Sequence, residues 1–522
     1  MESSDKELCK FNELIKKSTI IDERSPARYR LKLIKHDLDP SEPYRKMTFG
    51  ERDSKKPHKI ILMVGETGTG KTTLINVMIN YMLGVQREDK VWFEITDDQI
   101  KDHSPTTIIT VYGVYDQNSP DDLTIIDTPG YGNTCGISFD KEIAMNLLRL
   151  SEDLHEIDAV CLVIDASQTR LSDRQIYIFD AVQSLFGRDI AENIVLLFTH
   201  STGTPPKNAL MAVDAKIKCA VNDENQPVFF LFDNCQSDAA NEEYETIQEQ
   251  SWKLSHSGIT RLFKFFENIK PKTLQMTQEV LQKRKQLEAN VSNLQLRVQV
   301  TEQKQNELKQ TQEVLEKNRK YVEDNNDFEY EAEVSYKEKI HINSEFWHLT
   351  KEATCCTVCQ ENCHYPGCWW VRNLSRCSMM RNNHCTVCTN KCHYSTHVKE
   401  AKIYVTKTKK KKRTYVDLKN EYDGKIGDCV SLVKKLEEEL QELEKEKIKL
   451  VFEAFHCVDT LQMIALNADS LFTLLHVDFL IEKMKEIKEP EKAEILENIK
   501  KRAGEENTGA LGYITCFIKT FS

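Results

Sequence analysis

The sequence is poor in glycine and proline, and it lacks any long apolar run. Among its 522 residues, glycine occurs 18 times and proline 13 times, about half of average usage, whereas charged residues reach 29%. This composition argues against a collagen-like or all-β chain and suits long helices. No apolar run approaches the roughly 18 residues that span a bilayer, and residues 1–6 lack the features of a secretory signal. We therefore expect a soluble, cytoplasmic protein.

A generally basic surface is also lacking, because the formal net charge is −11. Proteins that coat nucleic acids place basic surface against phosphate, so the charge balance disfavours that class. One basic run, which begins at Lys409 and ends at Arg413, follows an alternating strand at 402–406. This run predicts an exposed hairpin turn with solvated charges. Contact with acidic lipid, RNA or an acidic partner is the alternative.

The first half of the chain divides into an N-terminal extension, 1–57, and an α/β domain, 58–270. The extension is polar and carries one short alternating segment, at 29–34, which predicts an edge strand. In the α/β domain, short apolar runs alternate with amphipathic stretches of helical length. The apolar runs lie at 58–64, 123–126, 159–165, 194–199 and 228–232. Such runs predict a mostly parallel sheet with helices on both faces.

The second half of the chain predicts two helical arms around a cysteine-rich insert. We expect coiled-coil helices at 272–349 and 415–455, a Cys/His-rich insert with the basic hairpin at 350–414, and a small helical region at 456–522. Glycine and proline are absent from 272 to 365, and apolar residues recur on a heptad grid in both arms. The grid of the first arm consists of Leu287, Val291, Leu294, Val298, Leu308, Leu315 and Val322, with Thr301, Gln305, Gln312 and Arg319 between them. We expect an antiparallel hairpin with the insert at its tip, and parallel dimerisation through either arm is the alternative.

The most specific motif follows the first apolar run of the α/β domain. It reads Gly65-Glu66-Thr67-Gly68-Thr69-Gly70-Lys71-Thr72-Thr73, and it matches G-x-x-x-x-G-K-[ST] between a predicted strand and a predicted helix. In this motif the glycines let backbone N–H groups wrap phosphates, and Lys71 reaches the β- and γ-phosphates. The hydroxyl of Thr72 is a ligand for Mg²⁺. The sequence therefore predicts a nucleoside triphosphate site.

A second motif, Asp127-Thr128-Pro129-Gly130, closes the next apolar run. A carboxylate at this position holds the Mg²⁺ shell, so Asp127 joins Thr72 as a predicted magnesium ligand. The N–H of Gly130 is the candidate donor to the γ-phosphate. Between the two motifs, Thr106 is the candidate switch residue that senses Mg²⁺ and γ-phosphate, with the next threonine as second choice. An ordinary Ser/Thr loop is the alternative for that segment.

These residues resemble the septin-like GTPases, the group that includes the immunity-associated (AIG-type) GTPases and the chloroplast outer-envelope import receptors. The resemblance covers about 58–270 and rests on the two motifs and the strand at 195–200. It implies a P-loop G domain that binds GTP or GDP with Mg²⁺. The group commonly lacks the N-K-x-D guanine motif, and none stands at the expected strand end. By resemblance, His200 and Asn234 are base contacts, although residue 233 is Asp where the immunity-associated members have Asn. Without the resemblance, a lone His200 is more often structural.

Hydrolysis depends on the residue after the second motif, Tyr131, which stands where Ras-like GTPases place a water-orienting glutamine. The resemblance implies slow intrinsic turnover and G domains that pair as a homodimer and supply a group in trans. Our leading hypothesis is therefore a GTP-binding switch or scaffold with dimerisation-stimulated hydrolysis. One alternative is a structural coiled-coil protein whose nucleotide is not hydrolysed. The other is a nucleic-acid sensor that uses the insert and the basic run.

Seventeen cysteines are present, and nine of them fall between Cys355 and Cys392. The pattern C-x2-C-x3-C-H occurs twice at an offset of 29 residues, and its cysteines are Cys356, Cys359, Cys363, Cys385, Cys388 and Cys392. Tetrahedral Zn²⁺ takes four sulfur or nitrogen ligands, so this pattern predicts one or two structural Zn²⁺ ions with three repeated cysteines for each. The fourth ligand is open among His364, His384, His393, His397, Cys355, Cys368 and Cys377. Buried free thiols or a disulfide-bonded knot are the alternatives.

Overall fold

The computed structural model describes residues 10–36, 38, 42–95, 108–117, 119–132, 137–167, 172–207, 210, 217–317, 329–342, 352–365, 367, 371, 373–414, 416 and 429–503. The chain forms two compact units. The N-terminal unit comprises Met1–Leu281, Met463–Phe472 and Arg502–Ser522, and the helical unit comprises Gln282–Gln462 and Thr473–Lys501. No helix within the described ranges has the length and apolarity needed to cross a membrane.

Strands and helices alternate along the N-terminal unit. Its strands are β1 Ser18–Asp22, β2 Ala27–Leu31, β3 Ile34–Lys35, β4 Tyr44–Gly50, β5 His58–Gly65, β6 Val91–Glu94, β7 Ile109–Tyr115, β8 Asp122–Asp127, β9 Glu156–Ile157, β10 Ala159–Asp165, β11 Ile194–Thr199, β12 Phe229–Leu231 and β13 Lys272–Thr273. Its helices are α1 Lys71–Met82, α2 Ile137–Asp153, α3 Asp173–Gln183 and α4 Glu245–Asn268. Short 3₁₀ helices lie at Arg87–Asp89, Arg188–Asn193 and Glu242–Tyr244.

The core of this unit is an eight-stranded sheet with the order β12-β11-β10-β5-β8-β7-β4-β3. Strands β12, β11, β10, β5 and β8 are parallel, β7 is antiparallel to β8, and β4 is parallel to β7. The five apolar runs of the sequence become the five parallel strands, because a strand buried on both faces needs apolar side chains on both. This confirms the predicted α/β class and its mostly parallel sheet.

The extension at 1–57 differs from its prediction, because it contributes strands to the sheets. Strand β4 pairs with β7 from Tyr44 opposite Ile109 to Gly50 opposite Tyr115. The segment predicted as an edge strand at 29–34 corresponds to β2, which lies in the middle of a three-stranded sheet between β1 and β6. Strand β4 is difficult to predict from the sequence, because the strand contains Arg45 and Lys46 and buries only two of its side chains.

The helical unit is built on long helices and a set of short strands. Its helices are α5 Gln275–Lys317, which begins in the N-terminal unit, α6 Cys429–Ile464 and α7 Leu471–Glu486, with a further helical stretch at 490–503. Its strands are β14 Glu329–His341, β15 Ala353–Cys356, β16 Glu361–His364, β17 Met380–Arg381, β18 His384–Cys385, β19 His397–Glu400 and β20 Lys402–Thr414, with 3₁₀ helices at Leu374–Arg376 and Tyr394–Thr396. The predicted helical C-terminal region is therefore present.

Helices α5 and α6 run antiparallel. Asn290 contacts Cys457, with 3.8 Å between Nδ2 and Sγ, and Lys304 pairs with Glu439 at 3.0 Å. Between these two contacts, Arg297 pairs with Glu446 at 2.9 Å. Residue numbers rise along one helix as they fall along the other, which is the order expected of a hairpin.

The first arm is not helical as far as 349, because residues 329–341 form strand β14. This strand pairs with β20 over its whole length, from Glu329 opposite Thr414 to His341 opposite Lys402. Its sequence alternates apolar and polar side chains with a period of two, which favours a strand. The lack of glycine and proline alone does not enforce a helix.

The basic run lies within strand β20, so the predicted hairpin turn at this place is wrong. Residues 409–412 are exposed, whereas Arg413 is buried and pairs with Glu307 of α5 at 3.0 Å. Across the ladder, Glu331 faces Lys412 and Glu333 faces Lys410. Opposite charges on facing strand residues stabilise the pairing and neutralise part of the run.

The insert does not lie at the tip of the hairpin. It packs along the arms, where Asn293 of α5 exchanges two hydrogen bonds with the backbone of Asn362 at 3.1 and 3.2 Å. On α6, Glu453 pairs with Lys391 at 2.5 Å. The heptad grid holds from Leu287 to Thr301, and its position Leu315 is buried as well. The grid positions Gln305 and Gln312 are exposed, whereas Glu307 and Thr311, which lie off the grid, are buried. The buried face of α5 therefore includes polar side chains beyond Thr301.

Candidate nucleotide site and cysteine cluster

The glycine-rich motif forms a loop between β5 and α1. Gly70 is the residue before the helix and has φ +81°, a left-handed conformation that favours glycine. The loop is held from behind, because Thr199 at the end of β11 donates from Oγ1 to the carbonyl of Thr69 at 2.7 Å. Helix α1 therefore begins at Lys71 with its first N–H groups directed at the loop, an arrangement that binds anions.

Lys71 is buried within this loop. Its Nζ donates to the carbonyl oxygens of Gly65 at 3.1 Å and Glu66 at 2.8 Å. Burial lowers the pKa of Lys71 to about 8, while the carboxylates of Asp127 and Glu66 act in the opposite direction. Thr72 is half-buried and Thr73 is exposed at the start of the helix. The ammonium is thus positioned in the loop that the motif predicts for phosphate.

Asp127 ends β8, next to β5, where it is opposite Met63. Its Oδ1 is buried and has no hydrogen-bond partner among the described residues. Burial raises the pKa of Asp127 to about 6, and the positive charges of Lys71 and Arg45 lower it in part. The neighbouring Thr128 is fixed by donating from Oγ1 to the carbonyl of Met63 at 2.8 Å. A buried carboxylate oxygen near the charge of Lys71 is therefore without a protein donor, and such an oxygen is available to bind Mg²⁺.

The second motif packs directly on the phosphate loop. The N–H of Tyr131 donates to the carbonyl of Gly65 at 3.1 Å, and the N–H of Thr67 donates to the carbonyl of Tyr131 at 3.4 Å. A Cβ on Gly130 would lie 2.5 Å from the Cα of Thr67, so only glycine fits. The structure thus brings Gly130 against the loop, as the sequence predicts.

Tyr131 is fully buried, and its hydroxyl has no hydrogen-bond partner among the described residues. Burial, with a smaller contribution from Asp140, raises the pKa of Tyr131 well above its usual value. A side chain enclosed in this way cannot orient a solvent water. The candidate switch residue Thr106 and its neighbour Thr107 lie outside the described residues.

The two predicted base contacts follow neighbouring parallel strands. His200, after β11, is exposed and has φ +53°, and a Cβ on Gly70 would lie 4.0 Å from its Nε2. Asn234 follows β12, and both atoms of its amide are buried without hydrogen-bond partners among the described residues. The N–H of Ser201 donates to the carbonyl of Phe232 at 3.0 Å and ties the two loops together.

One contact that joins the phosphate loop to the turn after the second motif is not predicted by the sequence. Arg174 of α3 pairs with Glu66 at 3.2 Å and donates from Nη2 to the carbonyl of Gly132 at 2.6 Å. Helix α3 is capped by Ser172, which exchanges hydrogen bonds with Gln175. The capping pattern S-x-x-Q could have located this helix start, but nothing in the sequence points to Arg174 itself.

The insert gathers its repeated cysteines into two groups. One group consists of Cys356, Cys359, Cys388 and Cys392, and the other of Cys363, Cys385, Cys388 and His397. Within each group the ligand atoms all lie within 4.8 Å of one another. Each group mixes cysteines of both repeats, and one group contains four repeated cysteines where three for each site were predicted.

The other candidate ligands have different surroundings. His364 contacts Cys377, with 3.3 Å between Nδ1 and Sγ, and the thiol of Cys355 lies 3.4 Å from Oδ1 of Asn362. The rings of His384 and His393 contact each other with their centroids 5.5 Å apart. Cys368 lies outside the described residues. Of the seven candidates for a fourth ligand, His397 belongs to a group.

Comparison with known proteins confirms the resemblance for the first region of the chain. The model of the AIG1 family matches residues 59–251. No curated protein matches the sequence significantly.

Among solved structures, Toc33 from Arabidopsis thaliana in complex with Mg²⁺ and GMPPNP has 16% identity and a TM-score of 0.26, over 40% of this chain and 86% of that chain. Toc33 in complex with GDP and Mg²⁺ gives the same values. The elongation factor SelB from Methanococcus maripaludis, in complex with the GTP analogue GPPNHP, has 11% identity and a TM-score of 0.23, over 42% of this chain and 36% of that chain. At such TM-scores the likeness supports no conclusion about this protein.

Proposed function

Because residues 59–251 form an AIG1-family domain, we propose that this protein is a switch or scaffold that binds GTP or GDP with Mg²⁺. The observation that carries the proposal is the buried Oδ1 of Asp127, which has no donor among the described residues and lies in the field of Lys71. A buried carboxylate without a partner is costly, and such groups are found where they coordinate metals or act in a site.

Each residue of the site has a role in this proposal. The backbone N–H groups of the loop from Gly65 to Thr73 bind the phosphates, and Lys71 neutralises the β- and γ-phosphates. Thr72 and Asp127 hold the Mg²⁺. Gly130 donates its N–H to the γ-phosphate. The turn that packs on the loop therefore responds to the presence of the γ-phosphate. Thr106 is the proposed partner of Mg²⁺ and γ-phosphate in the switch segment.

Guanine recognition rests on His200 and Asn234. Asn234 supports this role, because the hydrogen-bonding capacity of its buried amide is unused among the described residues. Its loop is fixed in place by the hydroxyls of Ser251 and Ser255, which donate to the carbonyl of Asp233 at 2.9 and 2.6 Å. A preorganised amide of this kind can read the edge of a base without reorganising.

The substitution Lys71→Ala tests the site. It removes the ammonium from the phosphate loop, and we expect the affinity for GTP to fall about 100-fold or more, since hydrogen bonds to charged groups contribute about 1.5–3 kcal/mol each. Isothermal titration with GTP and with ATP measures the effect. Lys253→Ala is the matched control, because Lys253 is an exposed lysine of α4 that pairs with Glu249 at 2.7 Å, and this variant should bind as the unsubstituted protein does. Undiminished GTP affinity in Lys71→Ala would refute the phosphate site, and equal affinity for ATP would refute guanine selection.

We also propose that hydrolysis is slow and stimulated by pairing of two G domains. The buried Tyr131 supports slow turnover, because it leaves this position without a group that orients water. The GTPase rate per molecule should therefore rise with protein concentration. A rate that is constant from the monomer to the dimer range would contradict the pairing. If single-turnover experiments show no hydrolysis at all, the alternative of a structural protein with bound nucleotide is correct.

For the helical unit, we propose a scaffold of coiled-coil type that carries a structural zinc module. The proposal is supported by the antiparallel arms and by the two groups of cysteines within them. The sequence lacks the H-E-x-x-H motif of catalytic zinc sites, which favours a structural role. A cytoplasmic location stays a prediction.

A further inference from the structure

One side chain, Cys388, belongs to both groups of candidate ligands in the insert. The two groups together contain seven different residues, one fewer than two separate tetrahedral sites need. Since Zn²⁺ lies about 2.3 Å from each thiolate sulfur, two sulfur atoms on one ion are at most about 4.6 Å apart. The 4.8 Å limit that holds within each group is close to this value.

The sulfur spacing fits metal ligation and not a disulfide. The Sγ atoms of Cys359 and Cys392 are 3.7 Å apart, and the edge of a regular tetrahedron with Zn–S bonds of about 2.3 Å is about 3.8 Å. A disulfide has its sulfurs about 2.05 Å apart. The grouped cysteines are all free thiols in the structure, and most of them are buried.

Backbone N–H groups already surround the sulfur atoms. The N–H of Cys359 donates to Sγ of Cys356 at 3.3 Å, and the N–H of Cys388 donates to Sγ of Cys385 at 3.4 Å. The shared sulfur of Cys388 accepts from the N–H of Cys392 at 3.2 Å. Donors placed in this way stabilise the thiolate form, which is the form that binds metal.

His397 has the tautomer that a zinc ligand needs. Its Nδ1 lies 3.1 Å from the carbonyl of His393, so Nδ1 carries the proton. Its Nε2 is buried and has no hydrogen-bond partner among the described residues. A ligating histidine usually donates its second N–H to a carbonyl or carboxylate, which fixes the ring and leaves the other nitrogen for the metal.

Positive charge is also available beside the group of sulfurs. Six thiolates and two Zn²⁺ ions leave an excess of negative charge. Lys337 of β14 donates to the carbonyls of Cys359 and Gln360 at 2.9 Å each. Lys391 donates to the carbonyl of Thr386 at 2.9 Å. Both ammonium groups are held at the turns that carry the cysteines, and that of Lys391 is also paired with Glu453.

We propose that the insert binds two Zn²⁺ ions that share the thiolate of Cys388. The inference rests on the zinc module proposed above. The first ion is bound by Cys356, Cys359, Cys392 and Cys388, and the second by Cys363, Cys385, His397 and Cys388. Each thiol releases its proton when the metal binds. The shared sulfur couples the two ions, so the repeats fold as one module and not as two independent fingers.

The test is the number of zinc ions in the full chain, purified without added zinc and measured by native mass spectrometry and elemental analysis. We expect two ions per chain. Cys392→Ser and Cys363→Ser each remove one unshared ligand and should retain one ion. Cys388→Ser should lose both in the presence of a chelator that leaves the single-ion variants intact. Cys457→Ser, a buried thiol of α6 outside both groups, is the control and should retain two.

Replacement of zinc by ¹¹³Cd gives a readout that needs no variant. Two cadmium resonances split by mutual scalar coupling are expected, because coupling passes through a shared sulfur. Two uncoupled resonances, or a single bound ion, would overturn the shared site and leave the zinc module standing. A chain without zinc would overturn the module as well. Loss of only one ion in Cys388→Ser would also contradict the shared thiolate.

Discussion

The α/β domain and the cysteine insert reach a defined structure by different means. A large cluster of buried apolar residues in the N-terminal unit extends from Phe11 to Phe266. Around the insert, one cluster has Ala353, Cys355 and Tyr404 as its buried members among the described residues. Burial stabilises by about 25 cal/mol per Å² of apolar surface, so a cluster this small contributes little. If both proposals hold, we expect the first region to need its nucleotide for function and the second to need its metal in order to fold.

The largest expected effect is that the insert loses its folded structure when the metal is removed. Structural zinc contributes on the order of 10 kcal/mol to small modules of this kind. Chelation, or the double substitution Cys359→Ser with Cys388→Ser, should therefore make residues 350–400 sensitive to protease. Affinity for GTP should change less than twofold, because the two sites share no residue and belong to different units. An insert that stays protease-resistant without metal would remove the distinction between the two regions.

A smaller effect, which is a gain of stability and not a loss, is expected when the charge of Asp127 is removed. Its carboxyl has a pKa of about 6 in the folded chain because it is buried, and about 3.9 in an unfolded one. Above pH 6 the buried charge thus destabilises the fold by about 2–3 kcal/mol, and this penalty fades as the pH falls from 6 to 4. Asp127→Asn should stabilise the domain at pH 7–8 in Mg²⁺-free buffer, with no gain below pH 4, and should lose Mg²⁺-dependent GTP binding.

Asp140 provides the matched control for this prediction. Burial also raises its pKa to about 6. Its carboxylate, however, accepts from the hydroxyl of Tyr177 at 2.7 Å and from the N–H of Gly132 at 3.3 Å. Asp140→Asn removes a similar buried charge but weakens these two hydrogen bonds, so we expect it to stabilise the domain less than Asp127→Asn does. Hydrogen exchange of peptides from β5 and β8 measures the stability of the domain in both variants. An equal gain of stability in the two variants would contradict the special position of Asp127.

The smallest effect is expected on GTP affinity when Arg174 is replaced. Its pairing with Glu66 is partly exposed, and such pairs contribute about 0–1 kcal/mol. Arg174→Gln should weaken GTP binding by threefold or less, as measured by titration. Arg188→Gln, an exposed arginine of the same unit, should leave the affinity unchanged. A loss above tenfold in Arg174→Gln would mean that this contact belongs to the phosphate site itself.

The sequence predicted those parts of the fold that one local pattern determines. The five apolar strands and the phosphate loop were predictable, because burial on both faces and the binding of phosphate each restrict the residue types. Strand β4 was missed because only two of its seven side chains are buried. Strand β14 was missed because its partner, β20, lies more than 60 residues later, and a missing helix breaker is not a helix signal.

The cysteine groups of the insert show the same limit of prediction from local sequence patterns, here at a candidate site. Six of the candidate ligands could be found from their spacing, since C-x2-C is a local pattern. That Cys388 belongs to both groups could not be predicted, because each group combines cysteines of both repeats, which only the fold brings together. His397 was one of seven candidates, and its position beside Cys363, Cys385 and Cys388 in the folded insert distinguishes it.

The central claim, that the chain binds GTP in one region and a structural metal in the other, is tested most directly by one hydrogen-exchange experiment. Exchange is followed in peptides from the loop at 65–73 and from the insert at 352–400, with and without GTP·Mg²⁺ and with and without a zinc chelator. We predict that GTP·Mg²⁺ protects the loop only and that the chelator deprotects the insert only. Protection of the loop that disappears with the chelator, or a loop that GTP·Mg²⁺ leaves unprotected, would contradict the account.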